Sequence, residues 1–196
     1  MTPEKSMTES ALQRLFIALP AAGIENCIRP VHEYLAAFPQ ALKSVSPDNY
    51  HITLKFFGET APDTLDLLMH DFEKLAVDAS PLPFTLRGLG AFPNIRRANV
   101  LWCNLDIDLD VLRKIQEIIE SMSEKHGFER EKRAIKPHLT LARLRRGVIM
   151  PMKIAEYIAA NGDTRYGESR FDRIVLYRSI LRRDGPVYTA LAEKPL

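Results

Sequence analysis

Short apolar runs and longer amphipathic stretches alternate along the chain and predict the order of its elements. Runs of about four to eight apolar or alternating residues, closed by proline or glycine, are typical of strands. Longer stretches with apolar positions three or four residues apart are typical of helices. These patterns predict strands at 15–19, 50–57, 137–143, 167–180 and 186–191, two strands around a loop within 81–106, and helices at 22–43, from Pro62 to about Val77, from Asp108 or Asp110 to about Lys125, and at 151–160. Pro30 lies inside the first helical stretch, so we expect that helix to begin near it or to kink there.

This order of strands and helices favours an α+β or mixed α/β domain with largely antiparallel sheets. Residues 1–13 are polar and lack periodicity, so we expect a flexible N-terminal tail. Neither GxGxxG nor GxxxxGK[ST] occurs, which leaves the chain without either nucleotide-binding fingerprint.

The composition is that of an ordinary globular protein and excludes disorder over the whole chain. Of 196 residues, 46% are hydrophobic and 27% are charged, with 27 basic and 25 acidic side chains. A nucleic-acid site must therefore be a local basic patch. Cys27 and Cys103 are interpreted as buried free thiols of a reducing compartment, and no cysteine–histidine cluster suggests zinc. With no signal peptide or membrane-spanning stretch in the pattern, we expect a soluble cytoplasmic protein and no membrane partner.

One tetrapeptide pattern recurs and carries the candidate chemistry. His51-Ile52-Thr53-Leu54 is followed 87 residues later by His138-Leu139-Thr140-Leu141. Each copy lies in a predicted strand, where residues i and i+2 share a face. His51 and Thr53 therefore point one way and the apolar residues the other, and the second copy is arranged alike. A polar face of this kind is costly when buried without partners, so we expect it to line a wet cleft.

Two imidazoles and two hydroxyls that converge on one site suit phosphoryl chemistry. The ordinary pKa of histidine, about 6.5, allows one ring to be neutral and the other protonated near neutral pH. One ring can then act as base for an incoming oxygen and the other as acid for the leaving oxygen. Threonine hydroxyls can donate to the non-bridging phosphoryl oxygens. This design requires neither a metal ion nor a cofactor.

The paired motifs HITLKF (51–56) and HLTLAR (138–143) resemble those of the two-histidine (2H) phosphoesterase superfamily, and more narrowly its LigT-like branch. That branch comprises RNA 2′,3′-cyclic phosphodiesterases once described as 2′-5′ RNA ligases. The resemblance extends over nearly all of residues 14–191 through further matching segments at 14–19, 56–59, 90–93 and 185–188.

The resemblance implies a single bilobal domain at 14–196. In it, two pseudo-twofold-related antiparallel β-sheets line a central groove, and helices pack outside. It implies metal-independent hydrolysis of an RNA or nucleotide 2′,3′-cyclic phosphate to a 2′-phosphate. His51 would be the proton donor and His138 the proton acceptor, while Thr53 and Thr140 would bind the phosphate. No protein partner is implied, and we expect a monomer.

Phe56 and Arg143 each lie five residues after their histidine, and the resemblance implies that they grip the nucleobase. Stacking of an aromatic ring or a guanidinium group on a base is physically reasonable. Strict strand alternation would place both on the face opposite the histidines, so a bulge or twist must intervene. A plain core position remains an equal alternative for Phe56.

Basic residues also surround the second motif, and their adjacency to His138 favours attraction of RNA phosphates over the alternative of a solvated loop. They are Arg130, Lys132, Arg133, Lys136, Arg143, Arg145 and Arg146. Arg96 and Arg97 form a second, weaker candidate rim.

The remaining histidines and aromatics have ordinary explanations. Surface or cap roles are expected for His32, His70 and His126, and a sheet-core position for Trp102. Tyr188 could reach the groove or pack within a sheet.

Two alternatives to hydrolysis remain open. The same site could run the reverse reaction as a 2′-5′ RNA ligase. The chain could also be a non-catalytic RNA-binding module, although pure binding does not need two imidazoles.

Overall fold

The computed structural model describes residues 12–77, 80–182 and 185–196, so most of the predicted N-terminal tail lies outside the described residues. The first strand begins at Gln13, the last residue assigned to that tail. The described strands are β1 (Gln13–Pro20), β2 (Leu42–Ser44), β3 (His51–Thr60), β4 (Leu82–Phe92), β5 (Val100–Ile107), β6 (His138–Leu144), β7 (Arg165–Phe171), β8 (Arg173–Arg182) and β9 (Gly185–Pro195). The described helices are α1 (Glu25–Ala36), α2 (Pro62–Glu73), α3 (Leu109–Glu124) and α4 (Met152–Ala160), with short 3₁₀ turns at Pro47–Asn49 and Ile95–Arg97.

The strands form two antiparallel sheets, as the α+β prediction requires. One sheet has four strands in the order β3-β1-β8-β9, and the other has five in the order β2-β6-β5-β4-β7. Every paired strand is antiparallel to its neighbour. The two strands that begin with the recurring histidines, β3 and β6, come within 8 Å of each other at their Cα atoms.

The recurring tetrapeptide belongs to a larger repeat of elements. In the first half, β1, α1, β3 and α2 follow one another, and β5, α3, β6 and α4 repeat this order, with the short β2 inserted in the first half. Gln13 and Val100 begin equivalent strands with the same 87-residue offset that separates the two histidines. The sequence repeat is therefore architectural.

Strand β1 shows why an apolar run without alternation forms a buried strand. It lies between β3 and β8 in its sheet, and residues 15–19 are all buried. A strand covered on both faces has no polar face to present, which gives a continuous apolar run. Leu15, Ile17 and Leu19 join one hydrophobic cluster that includes residues of both sheets and all four helices.

Several predicted boundaries differ from the structure. The helix predicted at 22–43 ends at Ala36, because the chain then turns into β2, which pairs with β6. Pro30 lies within α1 and has no N–H to donate to the carbonyl of Asn26. Asn26 is exposed, so water can bind that carbonyl instead.

The single strand predicted at 167–180 is two strands, β7 and β8, which separate at Asp172 and belong to different sheets. Helix α2 ends at Glu73, earlier than the predicted Val77. No helix in the described part of the chain is both long and apolar enough to cross a membrane.

Candidate active site

The two HxT motifs line one cleft with a volume of about 1500 Å³. His51 and Thr53 face it from β3, and His138 and Thr140 face it from β6. All four side chains are partly buried, whereas the intervening Ile52 and Leu139 are buried in the core. The alternation predicted for both strands holds over this segment.

A β-bulge interrupts each motif strand at the same position. Opposite β1, Thr53 pairs with Ala18 and Lys55 with Ile17, so Leu54 has no partner of its own. The same irregularity occurs between β5 and β6, where Leu141 is the extra residue. A bulge adds one residue and reverses the alternation beyond it.

The bulges bring Phe56 and Arg143 to the cleft side of their strands. Both residues line the cleft, and 61% of Phe56 is exposed, so the core alternative for Phe56 is wrong. The alternation argument fails at these two positions for a local reason, namely the extra residue in each strand.

A backbone carbonyl orients the ring of His51 and that of His138, in each case the carbonyl of the residue two positions earlier. Nδ1 of His51 lies 2.7 Å from the carbonyl oxygen of Asn49, and Nδ1 of His138 lies 2.6 Å from that of Lys136. A carbonyl can only accept, so each Nδ1 carries a proton and donates it. Nε2 is then the nitrogen that gains or loses a proton in both rings.

The two Nε2 atoms differ in their surroundings. Nε2 of His51 lies 3.1 Å from Oγ1 of Thr53. Within the described residues, no hydrogen bond joins Nε2 of His138 to a protein group. Nε2 of His138 is therefore available to bind a water molecule or a ligand.

Aromatic rings pack around both histidines. The ring of His51 lies 5.1 Å from that of Phe16 and 5.4 Å from that of Tyr188, between centroids. The ring of His138 lies 4.9 Å from that of Phe92 and 6.4 Å from that of Trp102. These contacts restrict each imidazole and remove water from one side of it.

Burial lowers the pKa of both histidines below the ordinary value of 6.5. The hydrogen bonds to the backbone carbonyls raise each pKa, and the positive charge of Arg143 lowers both again. His138 also lowers the pKa of His51. Both rings are therefore mainly neutral at neutral pH in the absence of a ligand, and an anion between them would favour protonation.

Most of the predicted basic patch lines the cleft, but two of its arginines are held there in ion pairs. Lys132, Lys136 and Arg143 line the cleft. Arg130 also lines it, but its guanidinium is paired with Glu117 and Glu124 of α3. Arg133 lines it as well and is paired with Glu131, another lining residue.

Outside the cleft lining, Arg145 donates to the carbonyl of Pro39, and Arg146 is exposed. Arg96 and Arg97 are exposed on a 3₁₀ turn and do not line the cleft.

Two aromatic residues and one histidine have positions that sequence reasoning missed or left open. Trp102 is only partly buried and is one of the aromatic rings packed around His138, so its assignment to the sheet core is wrong. Tyr188 lines the cleft. His32 also lines it, and its Nδ1 lies 3.2 Å from the hydroxyl of Tyr50.

The other two histidines contact residues of the helices. Nε2 of His126 lies 3.1 Å from Oδ2 of Asp71, and Nε2 of His70 lies 2.7 Å from Nζ of Lys74. In the described part of the chain, no group of three or more histidine, cysteine or acidic residues could hold a metal ion.

Comparison with known proteins gives consistent matches over nearly the whole chain. A family model described as LigT-like phosphoesterase matches residues 19–102 and 107–188. The RNA 2′,3′-cyclic phosphodiesterase of Aeropyrum pernix is 34% identical over 157 residues, which cover 78% of this chain and 85% of that protein. The protein of the same name from Methanothermobacter thermautotrophicus is 30% identical over 177 residues, which cover 90% of this chain and 95% of that protein.

Solved structures share the fold. The crystal structure of the protein TT0787 of Thermus thermophilus has a TM-score of 0.74 at 27% identity, covering 93% of this chain and 97% of that one. E. coli LigT complexed with phosphate has a TM-score of 0.62 at 25% identity, covering 95% of this chain and 99% of that one.

Proposed function

This chain belongs to the LigT-like phosphoesterase family, and we propose that it hydrolyses 2′,3′-cyclic phosphates at the end of RNA, or of small nucleotides, to 2′-phosphates. The proposed reaction is metal-independent acid–base catalysis by His51 and His138. The names of its relatives, which are RNA 2′,3′-cyclic phosphodiesterases, support the reaction class.

One observation carries the proposal: two imidazoles with the same hydrogen-bonded orientation line a single cleft. Their Nδ1 atoms are held by backbone carbonyls, so both rings have Nε2 for proton transfer. A binding site for an RNA end would not need two rings with equivalent, fixed tautomers. This feature favours an enzyme over a non-catalytic binding module.

In the proposed reaction, Nε2 of His138 takes a proton from a water molecule whose oxygen attacks phosphorus. The bond between phosphorus and O3′ breaks, and protonated Nε2 of His51 donates its proton to O3′. The product is a 2′-phosphate with a free 3′-hydroxyl. The two rings end with exchanged protonation states, and proton exchange with solvent restores them.

The assignment of acid and base is supported by the surroundings of the two Nε2 atoms. Nε2 of His138 lacks a hydrogen-bonded protein partner in the described chain, which suits a base that must contact water. Nε2 of His51 lies 3.1 Å from Thr53, whose hydroxyl oxygen can accept from the protonated ring. The anionic phosphate itself would raise the pKa of His51 and supply the protonated form.

The remaining cleft residues have roles that follow from their chemistry. The hydroxyls of Thr53 and Thr140 would donate to non-bridging oxygens, and Arg143 would offset the phosphoryl charge. Phe56 and Arg143 would contact the nucleobase by stacking.

Both HxT motifs come from one chain, so we propose that the site is complete in a monomer.

The test uses purified protein, EDTA and a short RNA with a 2′,3′-cyclic phosphate end, and identifies the product isomer by phosphorus NMR. We expect a 2′-phosphate in the presence of EDTA and little product with His51→Gln or His138→Gln. His70→Gln, which alters an exposed histidine of α2, is the matched control and should retain full turnover. A 3′-phosphate product, or turnover that requires a divalent ion, would contradict the proposal.

A further inference from the structure

A buried ion pair lies beside the cleft and takes no part in the proposed proton transfers. Nζ of Lys55 in β3 is 2.6 Å from Oε2 of Glu120 in α3, and the two side chains are only 4% and 5% exposed. Buried ion pairs contribute little net stability, because desolvation offsets their attraction. Stability alone therefore does not explain why Lys55 and Glu120 are paired at this position.

The β-bulge does not require a lysine at this position. Ala142 occupies the equivalent place after the bulge in β6 and is buried among apolar residues. An apolar side chain thus fits the same backbone feature in the other half of the repeat. The charge of Lys55 must serve contacts that β6 lacks.

Those contacts hold the loop between α3 and β6, residues 128–137. Lys55 donates to the carbonyl of Glu129, at 2.5 Å, and Oε1 of Glu120 accepts from the backbone N–H of Glu131, at 3.4 Å. The ring of Phe128 packs edge-on against Phe57 at 4.8 Å. Three anchors, at residues 128, 129 and 131, therefore fix the start of the 128–137 loop to β3 and α3.

Further contacts lead from these anchors to His138. Oε1 of Glu131 accepts from the backbone N–H of Arg133, at 3.0 Å, and Ile135 packs against the hydrophobic core. Lys136 then supplies the carbonyl that accepts from Nδ1 of His138, at 2.6 Å. The loop joins the ion pair to the group that orients the proposed base.

We infer that Lys55 and Glu120 are a positioning pair: they hold the 128–137 loop so that the Lys136 carbonyl fixes the tautomer and orientation of His138. Only the kinetic consequence of this role rests on the proposed function. The orientation of His138 is a property of the folded protein and can be measured without any substrate.

The experiment compares wild type, Lys55→Met/Glu120→Leu and Glu120→Gln. The double variant replaces both charges with apolar groups, so its melting temperature should stay close to that of wild type. Glu120→Gln keeps the shape and an acceptor but leaves the buried charge of Lys55 without its carboxylate, so its melting temperature should fall. Recorded below that temperature, its spectrum decides the outcome if the double variant fails to fold. Asp163→Asn, which breaks the exposed pair between Arg87 and Asp163, is the matched control.

Nitrogen NMR of the His138 ring is the substrate-free readout. Wild type should show a single tautomer with the proton on Nδ1. The double variant should show mixed tautomers, and Glu120→Gln should shift in the same direction by less. With the cyclic-phosphate RNA, kcat should fall about 10-fold to 100-fold in the double variant, with a smaller change in KM, because misplacement of a reacting group mainly affects the transition state.

Folded variants that keep the wild-type tautomer of His138 would overturn the inference, whatever their melting temperatures. A wild-type protein that does not hydrolyse the cyclic phosphate would instead overturn the proposed function. In that case the NMR comparison still decides whether the pair positions His138.

Discussion

Gly90 makes room for the Trp102 ring beside His138, and its substitution by alanine should disturb the site. The two residues are cross-strand partners in β4 and β5. An ideal Cβ at position 90 would lie 2.2 Å from both Cη2 and Cζ2 of Trp102. Carbon atoms in contact are normally about 3.5–4.0 Å apart. Gly90 does not have a positive φ, so the conflict is steric and lies between the new methyl group and the ring.

The size of the conflict sets the expected effect. To reach an ordinary contact distance, the indole ring must move by about 1.3 Å or more. Its ring lies 5.0 Å from that of Phe92, which in turn lies 4.9 Å from that of His138. We expect Gly90→Ala to lower the free energy of unfolding by about 1–3 kcal/mol, as overpacking does. If this shift moves His138, the proposed general base, by about 1 Å, kcat should fall by about 10²-fold.

Urea unfolding and steady-state kinetics on the cyclic-phosphate RNA measure the two effects. Gly162→Ala is the matched control, because its Cβ would meet only one atom, at 3.5 Å, without a positive φ. Adding Trp102→Leu to Gly90→Ala should recover stability, since the clashing ring is removed. A Gly90→Ala variant with wild-type stability and kcat would refute the steric argument.

Four further predictions concern the cleft. The pKa values of both histidines are lowered in the free protein, and the proposed reaction needs one ring protonated and one neutral, so kcat/KM should peak below pH 6.5. The phosphate of the bound substrate would raise both pKa values, so kcat should peak at higher pH; a kcat/KM peak above pH 6.5 would contradict this. Arg143→Ala should raise the pKa of both His51 and His138, as followed by proton NMR, because the guanidinium charge lowers both; unchanged values would show that its charge does not reach them. Phe56→Ala should raise KM while leaving the melting temperature unchanged, because the residue is 61% exposed and lines the cleft; a destabilised variant with normal KM would indicate a packing role. Thr53→Ala should lower kcat by about 10-fold to 10³-fold with the fold intact, since one hydroxyl donor is lost; an unchanged kcat would contradict the proposed phosphate-binding role of Thr53.

The repeated motif made the centre of the site predictable from the sequence. Two HxTL copies in strand contexts predicted two polar pairs, each on one face of its strand and both lining one cleft, and alternation holds from His51 to Thr53 and from His138 to Thr140. The order of strands and helices predicted largely antiparallel sheets in an α+β or mixed α/β domain, and the family resemblance narrowed this to the two-sheet α+β fold that is observed. These features depend on local periodicity, which a sequence displays directly.

Other features depend on tertiary contacts and were not visible in the sequence. Leu54 and Leu141 are apolar whether or not the strand bulges, so the apolar pattern alone gave no sign that Phe56 and Arg143 face the cleft, and only the family resemblance indicated it. From the sequence alone Lys55 is indistinguishable from a solvent-exposed lysine, because its burial depends on the ion pair with Glu120 of α3.

The basic patch and the aromatic neighbours were incompletely predicted for a similar reason. Arg130 and Arg133 were grouped by their charge, but nearby carboxylates neutralise both. Trp102 lies in an apolar run, and only the pairing of β5 with Gly90 of β4 explains how its ring fits on the cleft-facing side.

The paired action of the two histidines is tested most directly by the turnover of His51→Ala, His138→Ala and the double variant on the same cyclic-phosphate RNA. Each single variant should fold normally and lose about 10²–10⁴-fold in kcat, because one proton-transfer partner is missing. The double variant should lose far less than the product of the two single losses, because groups that act as a unit are not additive. A His51→Ala or His138→Ala protein that folds normally and retains full turnover would contradict the two-histidine mechanism.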